Sequence, residues 1–347
     1  GRQDYLRAGV CGNDWWLSDS SHRRARASAH ANIRTHSGHT ILEKVNENLD
    51  TMKKHKLGGV GAAMITPFKS DFSCDYDTLG RMIDYVIDGG TDYIVALGTT
   101  AETPTLSHEE RNEVFRYIRE RVAGRTPIVL GAGGNDTVRL IEQIQAMDLE
   151  GVDALLSVTP YYNKPSQEGL YRHFKAVAEA SPRPIILYNV PGRTGVNMSA
   201  ETTCRLAADV ENIIGIKEAS GKIDQITQII KNRPKDFLVL SGDDGMTVDV
   251  MRKGGDGVIS VAVNAFPKRF SHVVYLASQG LFDRAYEAYE PLHEAVCALF
   301  EQGNPTGVKA ALTILGLIEN NLRLPLVPAT DLLMKKMEKL IREYELC

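Results

Sequence analysis

A chain of 347 residues that is 43% hydrophobic and 24% charged has the balance of a soluble globular protein, long enough for two domains or one α/β barrel with an appendage. A formal charge of -4 with both signs interspersed argues against a nucleic-acid partner, and no apolar run approaches the ~20 residues a membrane span needs. Five scattered cysteines without a C-x-x-C pair suggest neither a disulfide framework nor a zinc site, so a reduced, cytoplasmic setting without a bound metal is expected.

Residues 1–55 read differently from the rest. The stretch GRQDYLRAGVCGNDWWLSDSSHRRARASAH is rich in Ser, Arg, Ala and His, and it has neither sustained periodicity nor the apolar core of a secretory signal. Asp4, Asp14 and Asp19 count against a transit peptide. The segment is therefore read as an extension outside the catalytic fold: a tag, an upstream-start segment or a poorly structured leader. Met52, just before KKHKLGGVGAAMITPF, reads as a natural first residue.

Beyond it a rhythm sets in. Apolar runs occur at GAAMITPF (61–68), YIVALGTT (93–100), PIVLGAG (127–133), ALLSVTPYY (154–162), PIILYNV (184–190), IIGIKEAS (213–220), FLVLSGDD (237–244) and GVISVAVN (257–264). They are apolar throughout rather than alternating, as strands buried on both faces are. Helical patterns lie between them. Leu79, Met82, Ile83, Val86 and Ile87 share one face, as do Leu170, Phe174 and Val177, then Ile223, Ile226, Ile229 and Ile230. Ser107-His108-Glu109-Glu110 is a capping box that opens a helix. Eight strand–helix units predict a (β/α)₈ TIM barrel over residues 56–280. A doubly wound open sheet fits less well, since nothing marks a reversal of strand order. Residues 281–347 then read as a C-terminal helical domain whose apolar stripes must bury against the barrel or another subunit.

In such a barrel, chemistry gathers at the C-terminal ends of the strands. Those ends offer Thr99, Thr100, Tyr161, Tyr162, Tyr188, Lys217, Asp243 and Asp244. Parity places Leu97 with Thr99 on one face of the second strand, and Ile186 with Tyr188 on one face of the fifth. Lys217 is the anomaly, a cation in an apolar strand. Alternation puts Ile213, Gly215, Lys217 and Ala219 on one face, and Gly215 would leave room beside the lysine stem. Either Lys217 pairs with a carboxylate, or it is held partly dry as an amine nucleophile. An amine in a largely apolar site loses its proton more readily and can add to a carbonyl as a Schiff base, with hydroxyl groups relaying protons. Each neighbour also has a plainer reading. Tyr188 could be a core tyrosine, and Thr99 and Thr100 β-branched strand formers. Asp243 and Asp244 suit a helix cap better than a metal. GAGGND (131–136) lacks the spacing of a phosphate loop and reads as a tight turn. Arg193 suits a bidentate grip on a carboxylate, yet by spacing alone it reads as a surface arginine.

Taken together, GTTAETPTL (98–106), VTPYYNKPSQEGLYRHF (158–174), LYNVPGRTG (187–195), GIKEAS (215–220), LSGDD (240–244) and GVISV (257–261) resemble the dihydrodipicolinate synthase family. The likeness runs in the family's order from about residue 57 to the C-terminus. It implies a (β/α)₈ barrel with a C-terminal helical domain that condenses pyruvate with L-aspartate-4-semialdehyde in lysine and diaminopimelate biosynthesis. By this resemblance Lys217 forms the Schiff base and Tyr188 is the general acid/base, with Thr99 and Tyr162 completing a proton relay. Tyr162 would reach a neighbouring subunit's site, implying a homo-oligomer, a dimer or a tetramer. Thr100 would hold the pyruvate carboxylate and Arg193 that of the semialdehyde. Gly242 and the backbone of Ile259 would line the pyruvate site. No cofactor is implied, because the covalent Schiff base with pyruvate takes that role.

Two departures from the family's pattern stand out. Ala101 replaces the usual glycine of GTTGE, adding a methyl beside the carboxylate site. In an allosteric pocket that includes His108, Asn135 and Tyr161, Arg139 stands where many members carry a glutamate. A cation there repels lysine, so feedback inhibition by lysine is expected to be weak or absent. Rival readings are another pyruvate-dependent aldolase, such as an N-acetylneuraminate lyase or a 2-keto-3-deoxy sugar acid aldolase, and, more distantly, a non-catalytic keto-acid-binding barrel.

Overall fold

The computed structural model describes residues 56–346, so the extension read over residues 1–55 lies outside the described residues. Seven strands form inside their predicted runs, and the first starts two residues ahead of its own: β1 (Gly59–Ala63), β2 (Tyr93–Ala96), β3 (Ile128–Gly131), β4 (Ala154–Val158), β5 (Ile185–Asn189), β6 (Ile213–Glu218), β7 (Leu238–Ser241) and β8 (Gly257–Ser260). Each pairs in parallel with the next, and β8 returns to β1 through Gly257↔Gly59 and Ile259↔Gly61, closing the barrel. Closure removes the unpaired edges that an open sheet would expose.

The runs read as apolar throughout because the barrel has two cores. Tyr93, Val95, Val129, Leu156, Ile186, Leu238, Leu240 and Ile259 fill its interior. Ile94, Ile128, Leu155, Ile185, Leu187, Ile216, Val239 and Val258 face the surrounding helices instead. Those helices are α1 (Tyr76–Asp88), α2 (His108–Val122), α3 (Thr137–Ala146), α4 (Gln167–Ala180), α5 (Pro191–Thr194), α6 (Ala200–Asp209), α7 (Ile223–Asn232), α8 (Thr247–Arg252) and α9 (Pro267–Ser278). α1 buries Leu79, Met82, Ile83 and Val86, as its periodicity predicts. α2 starts at the predicted capping box, with Ser107 and Glu110 each accepting from the other's backbone N–H. Such a cap contributes about 1 kcal/mol.

Three details depart from simple alternation. β2 stops at Ala96: Leu97 takes a left-handed φ of 51°, and Thr99–Ala101 winds into one 3₁₀ turn. Leu97 thereby packs in the outer core, so parity does not pair it with Thr99. Between β5 and β6 the register slips, Ile185 pairing with Ile213 but Ile186 with Gly215. This bulge turns Ile213 to the outer core and brings Ile214 against the inner one, so Ile213 does not share the face of Lys217. Gly215 clears no space for the lysine. A Cβ there would meet the Cβ of Leu238 at 2.7 Å and its carbonyl at 2.9 Å, so the glycine lets β7 approach.

The helical domain comprises α10 (Phe282–Glu301), α11 (Thr306–Ile314) and α12 (Asp331–Glu343), with α10 packed on α8 and α9 of the barrel. Its anchor is electrostatic as well as apolar. Lys309 of α11, wholly buried, pairs with Glu102 at 2.5 Å, donates to the carbonyl of Asn321 at 2.9 Å and lies 4.3 Å from the Phe68 ring centroid. Arg323 grips Glu110 at 2.6 and 2.7 Å and the carbonyl of Thr105 at 2.9 Å. These contacts fall on the loop after β2 and on the first turn of α2. Cys74 and Cys204 are free thiols. Among the described residues no helix is long and apolar enough to cross a membrane.

Candidate active site

Lys217 is the fifth of six residues in β6, only 6% exposed, and stands in register with Tyr188 of β5 and Leu240 of β7. Its Nζ lies 4.5 Å from the centre of the Tyr188 ring. An aromatic face partly offsets the cost of a dry cation without neutralising it. The carboxylate-paired reading fails at the obvious partner. Glu218 points to the other face, where it accepts from the Ser220 N–H at 2.7 Å, the Asn189 amide at 3.0 and 3.2 Å and the Gln225 amide at 3.1 Å. Among the described residues Lys217 makes no ion pair with any carboxylate.

The 3₁₀ turn after β2 presents Thr99 and Thr100 to the cavity that Lys217 also lines. Three contacts pin that turn: Thr66 donates to the Ala101 carbonyl at 2.8 Å, Thr103 to the Gly98 carbonyl at 2.9 Å, and the Asn304 amide to the Thr100 hydroxyl at 2.9 Å. The carbonyl that the expected glycine would carry is therefore held at Ala101, whose methyl is buried. Arg193, on the one-turn α5, is an exposed residue, as its spacing suggests, and it donates to the backbone carbonyl of Asn304 at 3.1 Å. A cavity of about 1000 Å³ joins these groups, with Thr99, Thr100, Tyr188, Arg193 and Lys217 on its wall. His108 and Tyr161 line its outer reach.

The other predicted positions lie around it. Gly242 donates its N–H to the Glu218 carbonyl at 2.8 Å, and a Cβ there would come within 2.6 Å of the Ala219 Cβ, so it permits the close β6–β7 approach beyond Lys217. Ile259 is buried in the barrel interior. Tyr162 is not on the cavity wall: it is 88% exposed, with a left-handed φ of 75°. Asn135 donates to the Tyr161 carbonyl at 3.1 Å. Arg139, its side chain 85% exposed, pairs with Asp136 at 3.5 Å, and His108 contacts Asn112 at 3.3 Å.

The acidic pair divides its work. Asp243 caps the following turn through the Gly245 N–H at 2.8 Å, as expected of a cap. Burial and then the adjacent Asp244 push its carboxyl up to about 6. Asp244 instead accepts from the N–H groups of Val261 and Ala262 at 3.0 and 2.9 Å, which ties the end of β7 to the end of β8. Burial raises its pKa, opposed by Ser260, those two N–H groups and, least, the charge of Lys217. Asn304 and the Glu102–Lys309 pair escaped the sequence reading. Their partners lie some 200 residues away, and no local pattern marks such contacts.

An amine beside a phenol ring, with two hydroxyls and a guanidinium on the same cavity wall, can bind a keto acid and move protons about its carbonyl carbon. Comparison with known proteins points to the same chemistry. The model of the dihydrodipicolinate synthetase family matches residues 56–344. Over 290 residues the chain is 53% identical to a 4-hydroxy-tetrahydrodipicolinate synthase of Parabacteroides distasonis, covering 84% of this chain and 98% of that protein. Dihydrodipicolinate synthase from Thermotoga maritima superposes with a TM-score of 0.82 at 41% identity, covering 84% of this chain and 100% of that one. The chloride-inhibited dihydrodipicolinate synthase of Acinetobacter baumannii in complex with pyruvate gives 0.81 at 40% identity, with 84% and 100% covered.

Proposed function

This chain belongs to the dihydrodipicolinate synthetase family, and from that premise we propose that it is a 4-hydroxy-tetrahydrodipicolinate synthase working through a Schiff base on Lys217. The observation that carries the mechanism is a buried lysine without an ion pair among the described residues, its Nζ 4.5 Å from the Tyr188 ring on a cavity shared with Thr99, Thr100 and Arg193. The neutral amine of Lys217 adds to the pyruvate ketone. The carbinolamine oxygen takes up a proton and leaves as water, which gives the imine. Loss of a methyl proton turns the imine into an enamine, whose carbon attacks the aldehyde of L-aspartate-4-semialdehyde while the new alkoxide is protonated. The amino group of the bound semialdehyde then adds to the imine carbon. Ring closure breaks the bond to Lys217, which leaves as the amine.

Tyr188 is the acid/base for these transfers, with Thr99 and Tyr162 as its relay. The Thr100 hydroxyl holds the pyruvate carboxylate, and Arg193 grips that of the semialdehyde. The imine itself is the electron sink, so the reaction proceeds without a cofactor. Its product class places the enzyme in lysine and diaminopimelate biosynthesis.

Borohydride trapping tests the assignment. Pyruvate with reductant should leave a reduced adduct on the peptide holding Lys217, and Lys217→Ala should give none. An adduct mapped by mass spectrometry to another lysine would end the mechanism. Comparing the semialdehyde with sugar-derived aldehydes in a coupled assay separates this reading from the other pyruvate aldolases.

A further inference from the structure

Asn304 lies in the turn leading into α11 and touches both loops that carry carboxylate-binding residues. Its Nδ2 donates to the Thr100 Oγ1 at 2.9 Å, and its backbone carbonyl accepts from Arg193 at 3.1 Å. The residue is 9% exposed, and its Oδ1 is buried without a partner among the described residues. One contact uses the side chain and the other the backbone, so substitution separates them.

A hydroxyl offers one hydrogen and two lone pairs. With the Asn304 amide donating into one lone pair, the Thr100 hydrogen cannot turn back toward Asn304. It is left for another acceptor, and the open side of Thr100 is the cavity wall it shares with Lys217. We propose that Asn304 is a positioning residue that fixes the polarity of the Thr100 hydroxyl, keeping it a donor toward the carboxylate of pyruvate. This rests on Thr100 holding that carboxylate, as assigned above. The backbone contact gives the same residue a second task, since it orients Arg193 without involving the side chain.

The test uses the full chain and two readouts. One is the pyruvate concentration giving half-maximal borohydride-trapped adduct, and the other is the KM for the semialdehyde. Asn304→Asp is nearly isosteric, but an ionised carboxylate only accepts and so captures the Thr100 hydrogen. At pH 8 it should raise half-saturating pyruvate about tenfold, with the deficit shrinking as pH falls and the new carboxyl regains a donor. The uncharged Asn304→Ala should raise it about threefold, and Thr100→Val about tenfold. The semialdehyde KM should stay within about twofold in both Asn304 variants, because the carbonyl that holds Arg193 survives. In the Thr100→Val background, adding Asn304→Ala should have almost no further effect on pyruvate saturation.

If Thr100→Val leaves pyruvate saturation unchanged, the carboxylate assignment is wrong and the role of Asn304 falls with it. If Thr100→Val weakens pyruvate and the Asn304 variants do not, only the role of Asn304 is overturned. A full Asn304→Ala effect persisting in the Thr100→Val background would mark it as merely structural.

Discussion

His173 sits on α4 with its Nδ1 2.9 Å from the Thr137 hydroxyl and its Nε2 buried without a partner among the described residues. Burial lowers its pKa from 6.5 to about 4. Folding therefore holds the ring neutral: its contribution is complete above the unfolded pKa and is lost as pH falls through the folded one. Wild-type protein should lose roughly 3 kcal/mol from this group between pH 7 and 4. His173→Phe, which keeps an aromatic ring against Phe174, should flatten that slope in urea titrations at the two pH values. Equal slopes in both proteins would assign the acid sensitivity elsewhere. Legibility at this scale was uneven. Lys217 could be read because a cation in an apolar run is costly and needs a reason. Gly215 was misread, because the glycine answers to Leu238 on a strand that the local pattern does not show. Asn304 could not be read at all, since its meaning lies in partners distant in the chain.

The strands and helices were legible because each buries one or two apolar faces with a period of its own. Their ends were not, since apolar sequence runs on past the last ladder bond into the barrel mouth, as at Leu97. The β5–β6 bulge was equally hidden, because Ile213 and Ile214 are interchangeable to any pattern. α11 hid the Lys309–Glu102 pair, whose two side chains are both fully buried. Burial pulls the pKa of Lys309 down against the raising effect of Glu102. Removing one partner leaves the other charge stranded, so Lys309→Met should destabilise the protein by about 3–5 kcal/mol. Adding Glu102→Gln should recover a large part of that loss in chemical denaturation. A double variant no more stable than Lys309→Met alone would show that the pair is not the source.

At the scale of the whole molecule, the fold class and the helical domain were both legible from the eight-unit rhythm. The way the domain attaches was not. Tyr162 carries a prediction at this scale, because it is exposed and off its own cavity while the proposed relay needs a phenol there. If a partner subunit supplies it, Lys217→Ala and Tyr162→Phe should each be nearly inactive. Subunits of the two, mixed and allowed to exchange, should regain about a quarter of wild-type activity, since half the random dimers hold one intact site. No recovery after demonstrated exchange would place the whole relay within one subunit.

The attachment of the helical domain also has a consequence for biosynthetic timing. Thr100 and its partner Asn304 are 204 residues apart, and Glu102 likewise waits for Lys309. At ~5–20 residues per second the ribosome needs ~10–40 s to bridge that interval. Over the last 87 residues of that interval, from 217 to 304, the nascent chain carries Lys217 but not the side chain that donates to Thr100. Both contacts thus form only once the last eighth of the polypeptide is being made, and a chain stalled before it carries Lys217 without either of them.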